Sequence, residues 1–403
     1  MTTPPAPARD TAPTPTRAAS VYVHAPFCAR RCFYCDFAVS VRRAGGAEEW
    51  LEALRGEVAL LEREGLFELA DALDTLYVGG GTPSLLGPDA MSGLADVLGR
   101  ERLGATGFEW TAEANPESLT PDVAASWCAA GVNRISLGLQ TFHEPALRWM
   151  GRLHGSEGPV AAVRAARDAG IGNVSVDLIF GLPASLGRSW DEDLGRALDL
   201  GVPHVSLYGL TVEYGTPLGR AVREGRETPV DEEQYRAEFL RAAEVLVGAG
   251  YEHYEVSNFA LPGFRSRHNA VYWHGGPYLG LGNGAHAYAP PVRRWNHRDW
   301  TEYRESVGAG ASPEAEREHL TAQATRLERV WLGLRTSDGV AIGSLPRRAD
   351  ALLGRWVAAG LAARAGDAIR LTTEGWLLLD ELTVDLDQVL GADADLGDGP
   401  HTA

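Results

Sequence analysis

The feature that most constrains the fold of this 403-residue chain is an alternation of short apolar runs with longer amphipathic segments between about residues 20 and 260. The short runs are rich in β-branched and aromatic residues, and they read SVYVHAP, DTLYVGGG, GFEWTAEA, NRISLGLQ, NVSVDLIFG and HVSLYGLT. Helical patterns lie between them, over 48–64, 121–130, 158–169 and 189–200. Strands that alternate with helices of this length predict βαβ units and a parallel sheet.

The positions of polar residues distinguish a barrel from an open sheet. GGGTP closes the second predicted strand, Glu113 and Gln140 end the third and fourth, Asp177 lies within the fifth, and Thr211 follows the sixth. Polar side chains at the carboxyl ends of many successive strands converge on one mouth in a barrel, whereas an open sheet concentrates them at a switch point. We therefore expect an α/β fold built on a partial, TIM-like (β/α)6 barrel.

Composition and pattern divide the chain into five predicted parts. These are a disordered leader over 1–19, the barrel over 20–260, a connecting segment over 261–314, a small C-terminal domain over 315–390 and an acidic disordered tail over 391–403. The C-terminal domain should begin with a helix over EREHLTAQATRLERVWLGL that ends in a turn. Helical patterns then flank a hairpin-like stretch, LAARAGDAIRLT, which predicts a winged-helix-like α+β module.

Charge and composition exclude several classes of protein. The formal net charge of −17 argues against nucleic-acid binding, which needs a basic patch. All 37 basic residues are arginine, so neither a Schiff-base lysine nor a phosphate-loop lysine is available. The sequence has neither the apolar core of a signal peptide nor a run of about 18 apolar residues, so we expect a cytoplasmic protein without a transmembrane segment.

Three of the four cysteines, Cys28, Cys32 and Cys35, lie within eight positions just after the first predicted strand. Structural disulfides need an even number of cysteines and an oxidising compartment, and a zinc site with four ligands would need a donor from elsewhere. A [4Fe–4S] cluster on three local thiolates would leave one iron open for a small-molecule ligand. We favour such a cluster over a zinc knuckle or buried thiols. Cys128 is expected to be a small core residue on a helix.

The motif CARRCFYC after the first strand of a βα barrel resembles the radical S-adenosylmethionine (SAM) superfamily. YVHAPFC, GGGTPSLL, EANPESL, GVNRISLGLQTF, MGRLHG and DLIFGLP extend the resemblance to the coproporphyrinogen-dehydrogenase-like branch over most of residues 20–290. The resemblance implies that the open iron binds the methionyl amino and carboxylate groups of SAM. The SAM-binding residues that it implies are Tyr22, Tyr34, Gly81, Thr82, Glu113, Gln140, Arg152, Asp177 and Thr211.

Simple chemistry agrees with several of these implied roles. A carboxylate such as Asp177 suits the paired hydroxyls of a ribose, and the Arg152 guanidinium suits a carboxylate. Glycines in GGGTP allow close approach of the backbone. Taken singly, Glu113 and Arg152 would also suit an ordinary ion pair at the barrel mouth, and GGGTP any tight loop.

Two members of this branch are candidates for the family of this chain. One is the oxygen-independent coproporphyrinogen dehydrogenase of porphyrin biosynthesis, which decarboxylates two propionates. The other is the haem chaperone family HemW, which binds haem and passes it to haem-requiring proteins such as respiratory enzymes. In the dehydrogenase a fourth cysteine follows the third by two residues, and here that position is Phe37. Phe37 therefore favours haem handling over porphyrinogen oxidation.

A second motif bears on the same choice. HNAVYW resembles the HNxxYW motif that is associated with haem binding in HemW, and its defining residues are His268, Asn269, Tyr272 and Trp273. An imidazole can ligate haem iron and aromatic rings can cover the macrocycle, but a histidine packed beside two aromatic residues would look the same. His274 and His286 are alternative ligands. The expected partners are haem and haem-accepting proteins, some of them at a membrane surface, and a homodimer stays open.

A glycine-rich stretch, GLGNGAH, resembles a dinucleotide fingerprint. Its spacing is wrong for that motif and no clear strand precedes it, so we expect a loop of close backbone approach instead. The family often carries a cysteine where Asn283 stands, so any role of that thiol is absent here.

Overall fold

The computed structural model describes residues 14–42 and 44–391. The strands are β1 (Thr16–Ala18), β2 (Ser20–Ala25), β3 (Phe27–Cys28), β4 (Ser40–Val41), β5 (Phe67–Leu69), β6 (Thr75–Gly80), β7 (Glu109–Ala114), β8 (Arg134–Gln140), β9 (Asn173–Phe180), β10 (His204–Gly209), β11 (Glu252–Glu255), β12 (Asn258–Ala260), β13 (Leu279–Leu281), β14 (His286–Ala289), β15 (Val292–Asn296), β16 (Glu314–His319), β17 (Val340–Ala341), β18 (Ala362–Ala365) and β19 (Ala368–Leu371).

The α-helices are α1 (Ala47–Glu64), α2 (Ala90–Leu98), α3 (Pro121–Ala130), α4 (Glu144–Met150), α5 (Gly158–Asp168), α6 (Trp190–Asp199), α7 (Pro217–Arg223), α8 (Glu232–Gly248), α9 (Arg267–Trp273), α10 (Trp300–Gly308), α11 (Ala322–Leu334), α12 (Asp350–Ala358), α13 (Thr373–Trp376) and α14 (Leu379–Gly391). Short 3₁₀ turns occupy Pro83–Leu86, Arg100–Leu103, Ala184–Leu186, Ile342–Ser344 and Arg347–Ala349.

The main sheet follows the order β11-β12-β10-β9-β8-β7-β6-β2-β13. Its run from β10 to β13 is parallel throughout. The six predicted strands are β2, β6, β7, β8, β9 and β10, and they are neighbours in chain order. Each crossover therefore joins adjacent strands, as in a barrel, without the order reversal of a doubly wound sheet. The predicted partial (β/α)6 barrel is confirmed.

Residues alternate along the barrel strands between an apolar and a polar environment. Val21 and Val23 of β2 are fully buried in the apolar core, while Tyr22 between them faces the cavity described below. Because successive strand residues point to opposite faces, the apolar set packs under the helices and the polar set lines the barrel interior. Trp50 of α1, fully buried, donates its indole N–H to the carbonyl of His24 (2.9 Å) and so fixes α1 at the end of β2.

Residues 16–18 of the predicted disordered leader form a strand. Thr16–Ala18 forms β1, which pairs in parallel register with Phe67–Leu69, and Ala18 is fully buried. The backbone groups of this short run are paired in a sheet, which its Pro- and Thr-rich surroundings did not indicate. Residues 1–13 of the predicted leader lie outside the described residues, as do residues 392–403 of the predicted tail.

Two predicted boundaries need correction. The boundary at residue 260 divides the main sheet, because Leu279–Leu281 pairs with β2. The boundary at residue 315 divides β16, because Glu314–His319 pairs with β15 and is not the start of a helix. Thr321 caps α11 by accepting from the Ala324 N–H (3.1 Å), so the helix begins only after the strand.

The C-terminal part has the predicted winged-helix-like architecture. Helix α11, strand β17 and helix α12 precede the hairpin β18–β19, and β19 pairs with both β17 and β18. The Trp376 indole donates to the carbonyl of Leu334 (2.9 Å) and its ring lies edge-on to His253, at a centroid distance of 4.3 Å. This module is therefore packed directly against the barrel. No helix in the described residues is long and apolar enough to cross a membrane.

Candidate functional site

The carboxyl ends of the barrel strands surround one cavity of about 1090 Å³. It brings together the three cysteines and every residue that the sequence resemblance connects with SAM. These lining residues are Tyr22, Cys28, Cys32, Tyr34, Cys35, Gly81, Thr82, Glu113, Gln140, Arg152, Asp177 and Thr211. Of the four HNxxYW residues, Tyr272 lines the cavity, whereas His268, Asn269 and Trp273 do not.

Cys28 ends β3, and the loop from there to β4, the cysteine loop, carries Cys32 and Cys35. Each of the three sulfurs accepts one hydrogen bond. The donors are Thr82 Oγ1 to Cys28 Sγ (3.4 Å), Phe37 N to Cys35 Sγ (3.4 Å) and Arg152 Nη1 to Cys32 Sγ (3.9 Å). N–H and O–H groups directed at sulfur stabilise a thiolate and tune a metal bound to it. The loop therefore has the surroundings that a metal-bound thiolate needs.

Burial keeps two of these thiols protonated in the metal-free protein. It raises the pKa of Cys28 to about 11, against the opposing hydrogen bond from Thr82, and it also raises the pKa of Cys35. Metals bind the thiolate, so loading this site would release protons. Within 14–42 and 44–391, no three His, Cys, Asp or Glu side chains are arranged to hold a single metal ion. A [4Fe–4S] cluster takes its thiolates on separate irons, so it does not need them to converge on one point.

The side-chain amide of Asn115 links the two side chains that donate to Cys28 and Cys32. Asn115 Oδ1 accepts from Arg152 Nη2 (2.6 Å), and Asn115 Nδ2 donates to Thr82 Oγ1 (3.3 Å). The same Arg152 nitrogen also donates to the carbonyl of Gly138 (2.6 Å), while the buried Arg152 Nε finds no acceptor among the described residues. A buried guanidinium N–H left unpaired beside a cavity suits an anionic ligand such as a carboxylate. The residues present therefore fit both a cluster and the carboxylate of SAM.

The GGGTP turn needs glycine for a geometric reason. A Cβ on Gly81 would lie 2.7 Å from the carbonyl oxygens of both Ala25 and Phe27, and Gly80 has a φ of +103°. The Gly81 N–H donates to the Ala25 carbonyl (2.7 Å) and the Thr82 N–H to the Phe27 carbonyl (2.8 Å). The turn is thus held directly against the strand that leads into Cys28.

Two buried carboxylates lie on neighbouring parts of the cavity wall. Glu113 accepts from the Tyr77 hydroxyl (2.7 Å) and the Gly80 N–H (3.0 Å), and Asp177 accepts from the Ser136 hydroxyl (3.1 Å). Burial raises the pKa of Glu113 to about 7, with nearby Asp177 adding to the shift, and burial raises the pKa of Asp177 to about 6. Neither carboxylate pairs with Arg152, so the alternative of an ordinary Glu113–Arg152 ion pair is not what the structure contains. Both can accept from a cationic amine or from hydroxyls.

A neutral histidine fixes the Tyr22 hydroxyl. Burial lowers the pKa of His24 to about 4, so its ring carries a single N–H. His24 Nε2 lies 2.9 Å from the Ala38 carbonyl, which can only accept, so Nε2 donates there and Nδ1 accepts from the Tyr22 hydroxyl (3.1 Å). This chain of bonds ties the end of the cysteine loop to β2.

Gln140 adopts an unusual backbone conformation at the mouth. Its φ of +69° is the one positive value for a non-glycine residue within the described residues, and it follows an irregularity in the pairing of β8 with β9. A residue held in this region is strained, and strain of this kind concentrates at functional sites. Thr211 is exposed at the rim, and Tyr34 packs against the apolar cluster that contains Met150 and Ile179.

The HNxxYW motif does not present its histidine to the cavity. His268 is 1% exposed, its Nδ1 is bonded to Thr75 Oγ1 (2.8 Å) and its Nε2 to the Tyr272 hydroxyl (2.8 Å). The ring also stacks on Tyr77 at a centroid distance of 5.2 Å, and burial lowers the pKa of His268 to about 3. Because both ring nitrogens are already bonded, the predicted iron ligand is a packed core histidine in this structure.

The short helix that carries the motif closes the floor of the barrel. Glu109, at the start of β7, accepts from the backbone N–H groups of Arg267 (3.0 Å) and His268 (3.1 Å) at the start of α9. Thr75, at the start of β6, bonds the other side of His268, so α9 meets the amino ends of the strands. Tyr272 alone reaches the cavity, whereas Trp273 lies beneath the guanidinium of Arg335.

Sequence reasoning missed several residues of this site, among them His24, Tyr77, Asn115 and Ser136. The period-two rule for strands could have found some of them, because His24 follows Tyr22 by two residues and Asn115 follows Glu113 by two. The same rule leads from Asp177 to Ile179, which also lines the cavity. Tyr77 and Ser136 lie deeper in the barrel, and only the register between strands shows that they reach the carboxylates.

Comparisons with known proteins agree on one group of relatives. The model of the radical SAM superfamily matches residues 22–197. A haem chaperone HemW from Mycobacterium tuberculosis is 40% identical over 92% of this chain and 95% of its own length. HemW from Lactococcus lactis is 34% identical over 80% of this chain and 83% of its own.

One solved structure shares the fold over nearly the whole length. Escherichia coli coproporphyrinogen III oxidase, HemN, a radical SAM enzyme, superposes with a TM-score of 0.76 over 93% of this chain and 91% of its own. The two sequences are 23% identical, so this likeness shows a common architecture, from the barrel through the C-terminal module.

Proposed function

The chain belongs to the radical SAM superfamily and, within it, to the HemW family, and on that premise we propose that it is a haem chaperone. It would hold a [4Fe–4S] cluster and SAM in the barrel, bind haem, and deliver haem to haem-requiring proteins, respiratory proteins among them. The observation that carries this proposal is 40% identity to a haem chaperone over 92% of the chain, which spans both the barrel and the C-terminal module.

The cavity supports the cluster and SAM parts of the proposal. Cys28, Cys32 and Cys35 would hold the cluster, and the cluster would supply an open iron for the amino and carboxylate groups of SAM. The unpaired Nε of Arg152 suits the carboxylate. The buried carboxylates of Glu113 and Asp177 suit an amine and ribose hydroxyls, and the fixed Tyr22 hydroxyl lies on the same wall.

A second function, oxygen-independent coproporphyrinogen dehydrogenation, shares this architecture. One position in the cysteine loop argues against it. Phe37 stands where that enzyme carries its additional cysteine, and its side chain is 63% exposed at the rim of the cavity. An exposed phenyl ring offers no thiol and presents an apolar surface to whatever enters the mouth. Such a surface suits the face of a porphyrin.

A transfer experiment tests the chaperone function. Full-length protein, reconstituted with iron and sulfide without oxygen and loaded with one equivalent of haem, is mixed with the haem-free form of a respiratory haem protein. We expect the acceptor to gain its own absorption spectrum and activity as the donor loses haem, faster than from haem bound to serum albumin. If the acceptor takes up haem from this protein no faster than it does from serum albumin, the chaperone function is contradicted.

A further inference from the structure

His286 differs from His268 in its exposure and in the partners of its ring nitrogens. It begins β14, is exposed and lines the cavity mouth. Its ring stacks on Trp295, the residue opposite it on β15, with centroids 5.3 Å apart and planes 24° from parallel. Within the residues that the structure describes, no hydrogen bond engages either ring nitrogen of His286. Its imidazole is therefore held in orientation with both nitrogens free.

The GLGNGAH loop holds His286 beside the cysteine loop. A strand, β13, does precede this loop, but a second strand follows it where a dinucleotide motif would need a helix. Asn283, 1% exposed, donates through Nδ2 to the carbonyls of Ala38 (3.2 Å) and Arg298 (3.0 Å). A Cβ on Gly282 would lie 2.7 Å from the His24 carbonyl, so the backbone approaches β2 as closely as glycine allows. The predicted loop of close approach is present.

Three kinds of group that haem could use line the same cavity. His286 offers a metal ligand, Phe37 an apolar face and Arg298 a cation. The Arg298 side chain is 63% exposed. Its Nη2 donates to the Asp36 carbonyl (2.5 Å) and lies 3.7 Å from the Asp36 carboxylate, which orients the guanidinium and leaves its exposed part accessible to an incoming anion. Haem presents the matching groups, which are an iron that accepts imidazole, an apolar ring and carboxylate side chains.

Resting on the proposed haem-binding function, we propose that His286 ligates the haem iron, with the macrocycle against Phe37 and a propionate on Arg298. The charge environment supports this assignment. Burial lowers the pKa of His286, and the guanidinium groups of Arg293 and Arg298 lower it further, which keeps the ring neutral. A neutral imidazole has the lone pair that iron requires. His268 has its nitrogens committed to Thr75 and Tyr272 and serves the barrel floor instead.

The test compares three histidine variants of the full-length protein by titration with haemin, followed by the Soret band. His286→Ala should weaken haem binding at least about tenfold and remove the spectral signature of imidazole ligation, a loss of about 1.4 kcal/mol. His274→Ala is the matched control, because His274 is also exposed and near the motif, and it should stay within about twofold. His268→Ala should lower the melting temperature and leave the spectrum of bound haem unchanged.

An arginine variant tests the proposed contact with a haem propionate. Arg298→Ala should weaken haem binding about three- to tenfold with an unaltered Soret position, because the iron ligand is untouched. An unchanged affinity and spectrum in His286→Ala, with wild-type haem binding intact, would overturn the assignment and leave the chaperone function standing. If the wild-type protein binds no haem, the proposed function itself fails. The two failures are therefore distinguishable.

Discussion

At the scale of single residues, the environment of each cysteine separates the three cavity thiols from the fourth. Cys28, Cys32 and Cys35 each accept a hydrogen bond at sulfur and line the cavity. Cys128 lies half-buried on α3, 3.7 Å from where a Cβ on Gly170 would be. Only the first three have surroundings that favour a metal-bound thiolate.

The contrast between the three cavity cysteines and Cys128 predicts a difference in iron binding. In anaerobic reconstitution with iron and sulfide, the wild-type chain should take up about four irons, as a [4Fe–4S] cluster requires. Cys32→Ala should lose most of the iron and of the charge-transfer absorption, whereas Cys128→Ala should retain both. Equal iron content in the two variants would place the cluster elsewhere.

Glu113 gives a pH-dependent prediction. Its pKa rises from an ordinary value of 4.5 to about 7 in the folded protein, chiefly through burial, so the folded state holds the proton more tightly than the unfolded state. The stability that this provides is present below about pH 4.5 and is lost as the pH rises through about 7. Glu113 should therefore make the metal-free protein less stable at about pH 8 than at about pH 5.5, whereas the buried neutral histidines His24 and His268 act in the opposite direction.

Glu113→Gln removes this contribution, so its urea midpoint at about pH 8, relative to that at about pH 5.5, should be higher than in the wild type. Glu233→Gln, an exposed substitution on α8, should leave the wild-type difference between the two pH values intact. The contribution of Asp177, whose pKa burial raises to about 6, should remain in Glu113→Gln. A pH dependence of Glu113→Gln equal to that of the wild type would mean that Glu113 does not titrate as described.

At the scale of elements, α9 shows what the HNxxYW motif does for the fold. The helix has seven residues, too few to be stable alone, and its first N–H groups need acceptors. The Ser266 hydroxyl accepts from Asn269 N (3.3 Å), and the buried Glu109 carboxylate accepts from two more N–H groups. The floor of the barrel therefore depends on a residue distant in sequence from the motif.

Glu109→Ala should cost about 2–3 kcal/mol of unfolding free energy, because it leaves buried N–H donors without an acceptor. Glu101→Ala is the control, since Glu101 is exposed and should change stability by less than about 0.5 kcal/mol. Urea denaturation of the two variants measures the difference. A Glu109→Ala protein as stable as the control would show that the cap contributes nothing.

The helices and strands also show how much of the fold could be predicted from the sequence. All six barrel strands and four of the six α-helices between them, α1, α3, α5 and α6, were predicted, because a buried strand must show β-branched residues and a surface helix an apolar stripe. β16 was not, because EAEREH has helical composition and becomes a strand only through pairing with β15. The residues of the candidate site were likewise predictable only in part. Residues at strand ends could be placed on the cavity, but the burial of His268 depends on Thr75, a contact across 193 positions.

At the scale of the whole molecule, one carboxylate joins the barrel to the segment that follows it. Glu57 on α1 is 1% exposed and accepts from Gly282 N (2.8 Å), Asn296 Nδ2 (2.6 Å) and the Tyr303 hydroxyl (2.6 Å). Burial raises the pKa of Glu57 against these three donors. The bonds hold β13, β15 and α10 to the barrel and thereby fix the loop that carries His286.

Glu57→Ala should therefore destabilise the protein by about 3–5 kcal/mol, since three buried donors lose their acceptor together. Glu52→Ala, on the exposed face of the same helix, should cost less than about 0.5 kcal/mol. Differential scanning calorimetry of both variants checks this. A melting temperature for Glu57→Ala equal to that of Glu52→Ala would contradict the role given to Glu57.

The central claim is that this radical SAM architecture handles haem and does not oxidise porphyrinogen. Its most direct test uses one anaerobically reconstituted preparation for two assays, a haem titration by the Soret band and a coproporphyrinogen III decarboxylation assay with SAM and a reductant. We predict stoichiometric haem binding, about one per chain for a single imidazole site, and no decarboxylated product. Turnover of coproporphyrinogen without haem binding would contradict the account.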